Sequence, residues 1–485
     1  MTDAGRVVGL VLAATMTLAG MPAAAQTATD QDRATGLSVD DMRVLAQQLL
    51  AVGQPSAAGN VLNAVLAQNP DDTAALILGA QAALDQNQPA AAVDLAARGY
   101  RTTTDLTARF VAARLAALGH ATLQQDTRAQ FWLRRARQVA PDAENAESVA
   151  RDYAFLRNRN PLSFNLSFGA TPSNNINNGS RSDTVTIGPF VTVLSESAKP
   201  LSGFQFDAGA TLRYRLREDA RSQLSVAFDL NTTTYALSQT ARDALQRDID
   251  AAAGDTSDLP RAGSDFAYTE ASVSLIQQQI LRDDWQPTTL SLSLGRNWYG
   301  GETYQKFVTA SVSQSFAFGP GEQIRLDGFY RYNFADQPDR VDSFGDPILY
   351  DDIANFGVGL GYTRLLDDGN IVNLGVSNRM STSDNAENDF VSWRVAAGLD
   401  LAQPVMNVRF GFGAQFEERK FDRSIYTSGI RRDRTVTGQV TALVDELEYY
   451  GFTPVFTLSA GRTYSRAERF DTDFANIGID LRSAF

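Results

Sequence analysis

The residues that could carry chemistry are few, and their types exclude most enzyme classes. The chain has no cysteine and one histidine, His120, so disulfide frameworks, thiol catalysis and Cys-ligated zinc are excluded. A Ser-His-Asp mechanism or a histidine-based metal site would have to use His120, which we interpret as a polar residue at a helix end. None of the lysines, Lys199, Lys306 and Lys420, follows a glycine, so the phosphate-binding motif GxxxxGK is missing. The sequence predicts a protein that is not an enzyme and that holds no cofactor or metal.

Length and charge narrow the possibilities further. The chain has 485 residues and a net charge of −13, which is enough length for two or three ordinary domains. An acidic surface is unsuited to phosphate contacts, so no nucleic acid is expected among the partners.

Residues 1–25 have the features of a secretory signal peptide. A short charged start precedes the apolar run Val7–Met21, and the small residues Ala23 and Ala25 suit cleavage before Gln26. The apolar run is shorter than the ~20 residues that a membrane-spanning helix needs. A single membrane anchor is the alternative interpretation. A signal peptide on a chain without cysteine indicates the Gram-negative cell envelope.

Residues 26–160 are predicted to form a helical domain in the periplasm. The segment is rich in alanine and has apolar residues at helical spacing. Its breaks resemble those of tetratricopeptide repeats, helix-turn-helix units of 34 residues that stack into a solenoid. Repeats anchored on Pro70 and Pro141 place the following residues at packing positions: Ala46, Ala58, Leu62, Ala80, Ala92, Ala96, Ala117, Ala129, Leu133 and Ala136. A generic helical bundle is the alternative.

From about residue 162 the apolar period changes to two. One run alternates Leu224, Val226, Phe228 and Leu230 with small or polar residues, and similar runs recur to the end of the sequence. An apolar face for lipid and a polar face for a lumen are typical of a transmembrane β-barrel. We therefore predict an outer-membrane barrel over residues 183–485, with a soluble β-sandwich as the alternative.

The last strand carries a predicted assembly signal. Asn476 and Gly478 lie on one face of this strand, and Leu481 and the terminal Phe485 lie on the other. A final amphipathic strand that ends in Phe resembles the signal that directs outer-membrane barrels to assembly.

Loop lengths predict the number of strands. In bacterial barrels both chain ends are periplasmic, periplasmic turns are short and outer loops are long, and a count of 14 strands satisfies this rule. The first predicted strand covers 183–194. Residues 162–170 also alternate, but including them gives an odd number, so 161–182 is assigned to a pre-barrel segment. The predicted fold is α + β: an α-helical, tetratricopeptide-like solenoid followed by a 14-stranded antiparallel transmembrane β-barrel.

Charged side chains in the strands are predicted to face the lumen. They share the polar face of their strands and are Asp207, Arg213, Arg215, Asp229, Arg325, Asp327, Arg331, Arg394, Asp400, Arg409 and Glu417. Pairing across a water-filled lumen and contact with a transported client are both compatible with this pattern.

The order of these parts resembles the surface lipoprotein assembly modifier (Slam) family. The resemblance rests on the helical domain, on the pre-barrel run Pro172–Asn178, and on Gly451, Thr453 and Pro454 near the start of the penultimate strand. It implies an outer-membrane translocon that delivers surface lipoproteins or related secreted proteins to the cell surface. The partners that it implies are the client protein, outer-membrane lipid, the barrel-assembly machinery and periplasmic chaperones.

Two other functions remain open. An exopolysaccharide export porin also joins tetratricopeptide repeats to a barrel, although its repeat domain is usually longer. A passive diffusion porin would leave the helical domain without a purpose.

Four asparagines of the pre-barrel segment are candidate client contacts. Asn174, Asn175, Asn177 and Asn178 offer both donors and acceptors, and the segment is expected at the periplasmic mouth or inside the lumen. The alternative is a linker turn whose asparagines bond only to its own backbone.

Overall fold

The computed structural model describes residues 37–187, 189–252, 256, 259–337, 350–427, 429–444, 447, 449–450 and 452–483. The predicted signal peptide, residues 1–25, and the terminal Phe485 lie outside these residues. The described chain forms a set of helices followed by a closed antiparallel barrel.

Capping side chains and left-handed residues set the limits of the helices that precede the barrel. These are α1 (Val39–Ala51), α2 (Pro55–Gln68), α3 (Thr73–Asp85), α4 (Pro89–Thr102), α5 (Leu106–Thr122), α6 (Asp126–Gln138) and α7 (Ala143–Arg159). Ser38, Asp72 and Asp105 each accept a hydrogen bond from the backbone N–H three residues later, which satisfies a donor that the helix leaves free. Gly53 and Asn87 have φ of 72° and 58°, so left-handed residues follow α1 and α3. Among the described helices, none combines the length and the hydropathy needed to cross a membrane.

Small side chains allow these helices to pack closely in chain order. Each helix contacts the next, and α3 also contacts α1 and α5, which is the contact pattern of stacked helix pairs. The residues placed at packing positions by the sequence are all buried: Ala46, Ala58, Leu62, Ala80, Ala92, Ala96, Ala117, Ala129, Leu133 and Ala136. The assignment to tetratricopeptide repeats stays a prediction.

The barrel has 14 strands, and each pairs antiparallel with two neighbours. Its strands are β1 (Leu162–Ser173), β4 (Gly203–Glu218), β5 (Ser222–Leu237), β6 (Tyr268–Gln279), β7 (Thr288–Tyr299), β8 (Glu302–Gly319), β9 (Glu322–Ala335), β10 (Ile353–Leu365), β11 (Ile371–Thr382), β12 (Phe390–Asp400), β13 (Val408–Phe421), β14 (Arg431–Val444), β15 (Phe452–Ser465) and β16 (Thr472–Ser483). The ladder between β1 and β16 closes the barrel, with Phe168 opposite Leu481 and Ser173 opposite Asn476.

The first strand of the barrel is not the predicted one. Residues 162–173 form β1 and pair with both β4 and β16. The stretch 183–194 instead forms a separate hairpin of β2 (Thr184–Ile187) and β3 (Phe190–Val193). Strands this short cannot cross a bilayer, which takes ~9–11 residues, and Pro189 between them favours a turn. The barrel therefore starts at Leu162 rather than at 183, and the predicted pre-barrel segment 161–182 is wrong. The predicted strand total is right because one strand replaces the other.

The outer surface of the barrel is a continuous apolar belt. Large apolar side chains at alternate strand positions are exposed, among them Phe164, Leu166, Phe206, Leu230, Leu292, Leu326, Val358, Val376, Val395, Phe412, Val436, Leu458 and Ile477. A closed barrel leaves no unpaired sheet edge, so this belt can lie in hydrocarbon with every ladder satisfied. The barrel has the construction of a transmembrane one.

The two rims of the barrel differ. We call the end at which β1 begins the helix-side rim, because α7 ends directly before it, and the opposite end the far rim. Connections at the helix-side rim include the short turns 219–221 and 320–321. Two connections at the far rim contain secondary structure of their own, the β2–β3 hairpin and helix α8 (Gln239–Ala251). Leu245 of α8 packs with Ile176, Leu201 and Leu237 in a small apolar core.

Candidate functional site: the barrel lumen

The charged residues predicted for the lumen alternate with the exposed apolar belt and lie on the inner face. They are Asp207, Arg213, Arg215, Asp229, Arg325, Asp327, Arg331, Arg394, Asp400, Arg409 and Glu417. The structure spreads them around the wall and along its height, so they form several local networks rather than one cluster.

In the helix-side half of the lumen the charges bind to their neighbours on the wall. Asp229 accepts from the Thr211 hydroxyl at 2.7 Å, and the Arg325 Nε donates to Asp327 at 2.9 Å. Asp400 accepts from the Asn373 amide at 3.2 Å. Two of these partners are neutral and one is charged, and all lie on the same or a neighbouring strand, so these charges are satisfied locally on the wall rather than across the lumen.

A denser network lies in the far half of the lumen. Glu417 is 5% exposed and accepts from Arg394 at 2.9 Å and from Arg419 at 2.7 Å. In the same half of the lumen, Arg331 of β9 donates to both carboxylate oxygens of Glu270 of β6, at 3.3 and 2.8 Å. Hydrogen-bonded ion pairs of this kind are stronger than neutral ones and fix the orientation of planar groups.

One arginine at the far rim joins two connections to the ends of β13 and β14. Arg431 is 4% exposed and is paired with Glu387, from the β11–β12 connection, and with Asp433 at 2.5 Å. Its guanidinium lies 3.2 Å from the ring centroid of Phe470 and 4.1 Å from that of Phe421. A guanidinium held by two rings and two carboxylates has a fixed orientation. Arg431 therefore links the β11–β12 and β15–β16 connections at the far rim.

Glycines leave part of the lumen wall bare. Inward positions of β10–β13 carry glycine at Gly361, Gly375, Gly398 and Gly413. The last three line a cavity of about 410 Å³. A Cβ at Gly375 would meet nothing closer than 3.9 Å. The lumen therefore keeps free volume beside the charged walls.

Helix α6 is fixed to the helix-side rim. The Tyr450 backbone N–H, in the β14–β15 connection, donates to the Gln138 side-chain oxygen at 2.6 Å. The Arg134 guanidinium lies 5.4 Å from the Phe452 ring centroid. Burial raises the pKa of the Tyr100 hydroxyl in α4, and the neighbouring Tyr450 of the same connection raises it further.

Helix α7 is fixed to the same rim through a lumen residue. The Arg215 Nη2 donates to the backbone carbonyls of Asn158 and Arg159 at 2.8 and 3.0 Å, which lie in the last turn of α7. The Arg215 backbone N–H also donates to Pro161 at 2.8 Å. A predicted lumen charge thus holds the helical part at the mouth of the barrel.

The asparagine run lies at the far rim, so the expected place at the mouth beside the helices is wrong, and the alternative place inside the lumen stays a prediction. Asn175 accepts from the Gly179 N–H at 2.6 Å and donates to the carbonyls of Gly179 and Asp473 at 3.0 and 2.8 Å. Asn177 donates to the Ser197 and Lys199 carbonyls and accepts from the Leu201 N–H. These amides bond the 174–202 connection to itself and to β16, so their role is structural, but the bonds extend beyond the segment's own backbone to which the linker-turn alternative confined them.

The remaining two asparagines have smaller roles in the same connection. Asn174 accepts from the Ala475 N–H at 2.8 Å, and Asn178 has a left-handed φ of 51°. Contact of the four asparagines with a client stays a prediction without a test.

The predicted assembly residues lie in the strand that closes the barrel. Asn476 faces Ser173 and Leu481 faces Phe168 across the β1–β16 seam, and a Cβ at Gly478 would come within 2.8 Å of the Thr171 hydroxyl. Phe485 lies outside the described residues, so its role stays a prediction.

The single histidine lies among the helices that precede the barrel. His120 is 8% exposed and its Nδ1 lies 2.8 Å from the Gln125 side-chain oxygen, so it packs within the helices and away from the lumen. Among the described residues, no group of three or more His, Cys, Asp or Glu could hold a metal ion.

Comparison with known proteins gives distant likenesses only. No protein-family model and no curated protein matches the chain. Among solved structures, the chain is similar to a loop L8 deletion mutant of OmpT from Vibrio cholerae, at 11% identity over 67% of this chain and 99% of that one, with a TM-score of 0.33. It is also similar to OprB from Pseudomonas putida, at 9% identity over 69% and 96% with a TM-score of 0.36, and to OccK8 (OprE) from Pseudomonas aeruginosa, at 10% identity over 67% and 98% with a TM-score of 0.32. Likenesses this distant leave the function to be argued from the barrel itself.

Proposed function

We propose that the chain is an outer-membrane translocon whose lumen delivers a client protein, a surface lipoprotein or related secreted protein, to the cell surface. The observation that carries the proposal is the attachment of the helices to one mouth of the barrel. Gln138 and Arg134 of α6 and the carbonyls at the end of α7 contact residues of that rim. A folded domain held at a mouth meets a client before the lumen does.

The orientation follows from the two rims. Bacterial barrels keep short turns in the periplasm and long connections outside. The short turns 219–221 and 320–321 lie on the side of the helices, and α8 and the β2–β3 hairpin lie on the other. The helical domain is therefore periplasmic in this proposal, and the far rim faces the surroundings of the cell.

The helices supply the client-handling surface. Their sequential contacts and the buried small residues at the predicted packing positions support tetratricopeptide-like repeats, which typically bind extended partners. A passive diffusion porin needs no such domain at its mouth, and therefore the helices favour a client-dependent function. Outer-membrane lipid, the barrel-assembly machinery and periplasmic chaperones are the other partners that we propose.

Surface proteomics tests the proposal. Intact cells with and without the gene are treated with a protease that cannot enter them, and the released peptides are identified by mass spectrometry. We expect one or a few proteins to disappear from the surface while their total amounts persist, and to return when the full chain is restored. An unchanged set of surface proteins would contradict the proposal. Loss of surface polysaccharide alone would establish the export porin instead.

A further inference from the structure

A recess in the far half of the lumen is lined by arginine, amide and aromatic side chains. Its volume is about 420 Å³, and its lining includes Arg331, Arg379, Asn355, Gln305, Phe329 and Phe390. The residues come from strands β6–β12 and the β11–β12 connection, so the recess occupies one wall of the lumen. A volume of this size is in the range of small-molecule sites, roughly 300–1,000 Å³.

Among the residues that the structure describes, the charges around the recess are paired with one exception. Arg331 is bound to Glu270, and Arg394 and Arg419 are both bound to Glu417. Arg379 has no carboxylate partner among the described residues. Its Nε and Nη2 donate to the amide oxygen of Asn355 at 3.1 and 2.7 Å. An amide oxygen satisfies hydrogen-bond donors but does not neutralise a cation.

The position of Arg379 suits a ligand rather than a structural pair. The residue is exposed to the lumen, and its Nη1 has no hydrogen-bond acceptor among the described residues. Its guanidinium lies 5.4 Å from the Phe390 ring centroid, and Arg419 lies 5.7 Å from the same ring. Two guanidinium groups therefore lie near one aromatic ring, and the Arg379 Nη1 remains available to a ligand.

We propose that Arg379 and the recess form a binding subsite for an organic carboxylate. A carboxylate accepts two parallel bonds from a guanidinium, and the lining rings of Phe329 and Phe390 suit the apolar body of such a ligand. The carboxylate comes either from a free solute or from an acidic side chain of a chain passing through the lumen. This inference rests on the proposed function, in which the lumen is a passage, and it identifies the carboxylate as a chemical group that the passage binds.

Ligand-observed NMR on the full chain in detergent tests the subsite directly. The probes are citrate, a free carboxylate, and a hexaglutamate peptide, which carries carboxylates on a chain; glycerol is the neutral control. Saturation transfer to citrate should occur with the wild-type chain and should not occur to glycerol. Since hydrogen bonds to a charged group are the strong ones, Arg379→Gln should weaken binding by about tenfold or more.

The control variant is Arg325→Gln. Arg325 lies in the helix-side half of the lumen and is paired with Asp327, so this variant makes the same change in net charge away from the recess. Arg379→Lys keeps the charge but loses the planar guanidinium with its paired N–H donors. This variant is expected to bind the carboxylate probes more weakly than wild type and more tightly than Arg379→Gln. Circular dichroism and gel mobility confirm that each variant is folded.

The outcomes distinguish a free solute from a passing chain as the source of the carboxylate, and they distinguish failure of the subsite from failure of the translocon proposal. Binding of citrate alone assigns the site to a solute, and tighter binding of hexaglutamate assigns it to a passing chain. No binding of either probe, equal binding by wild type and Arg379→Gln, or an equal loss in Arg325→Gln would overturn the subsite. Surface proteomics is independent of these measurements, so a failed translocon proposal with intact binding is distinguishable from a failed subsite.

Discussion

Arg431 shows how one side chain can organise a rim of the barrel. It is held between the Phe421 and Phe470 rings and bound to Glu387 and Asp433. We expect Arg431→Lys to keep the charge but to lose stacking and the planar fork, at a cost of about 2 kcal/mol in the free energy of unfolding. Denaturant unfolding in detergent measures this cost. Arg325→Lys, an exposed pair with Asp327, should change stability by much less; equal effects would show that the two rings contribute nothing.

Asp72 gives the helical domain a dependence on pH. Burial of its carboxyl opposes ionisation, but hydrogen bonds from Arg43 and from the Ala75 N–H outweigh burial and lower the pKa of Asp72. A lowered pKa adds stability that is present above the unfolded value of ~3.9 and is lost as pH falls through the folded value. We expect the melting temperature of the helical signal to fall between neutral pH and about pH 3, and to fall less in Asp72→Asn.

Asparagine is the matched replacement because it still caps a helix but has no charge to lose. Asp72→Ala should lower stability at neutral pH by about 1 kcal/mol for the cap alone. Circular dichroism melts of the full chain provide both measurements. An acid dependence of Asp72→Asn equal to that of wild type would assign the effect to other carboxylates.

The lumen-facing residues were partly predictable because strand alternation places side chains on faces. Alternation identified Arg331, Arg394 and Glu417, but Arg379, which lies in β11, was not among the predicted lumen charges. The same parity would have placed it inward. The pairing of Arg431 with Phe470 could not be predicted, since it joins distant connections and depends on the closed barrel.

At the scale of elements, the sequence determined the number of strands but not which segment was the first. Residues 162–173 and 183–194 both alternate apolar and polar side chains. Exchanging one segment for the other keeps the number of strands even, so both chain ends stay on the same side of the membrane. The decisive signal was Pro189, which splits the second segment into strands of four residues. A turn residue in the middle of an alternating run is evidence against a membrane strand.

The 174–202 connection depends on Asn175. We expect Asn175→Ala to leave the Gly179 and Asp473 backbone groups without their partner, which costs about 1–3 kcal/mol for buried groups, and to loosen the connection. External protease should then cut this connection faster in intact cells, with insertion unchanged. Asn178→Gly is the control, because glycine adopts the left-handed φ of this position without strain. Slow cleavage of both variants would show that the amide network does not hold the connection.

The attachment of α6 to the helix-side rim can be removed by substitution. Replacing Gln138 by Ala together with Phe452 by Leu removes the hydrogen bond to Tyr450 and the ring under Arg134. We expect about tenfold faster proteolysis near Asn160, and a loss of client display with normal barrel levels. Phe456→Leu, in the same strand but away from α6, should behave as wild type. Unchanged client display in a released variant would contradict the role of the helices at the mouth.

At the scale of the whole molecule, the described chain consists of two parts with separate means of stability. The helical cores contain only helical-part residues, one around Leu62 and Val65 and the other around Leu115, Trp132 and Val149. The barrel is held by its closed ladders and by lipid contact with its outer belt, not by an apolar core. The contacts between the parts are hydrogen bonds and a few rings at one rim.

This division predicts that residues 26–160 fold without the barrel. Stacked helices contact only their neighbours, and the two apolar cores are complete within the segment. The excised segment should be monomeric and helical by circular dichroism, and should melt cooperatively. Leu115→Ala, which removes a side chain 1% exposed, should lower its stability by about 2–5 kcal/mol, whereas Leu106→Ala, an exposed residue of the same helix, should change it little. A disordered excised segment would mean that the rim contacts are required for folding, and that the helices and barrel form one cooperative unit.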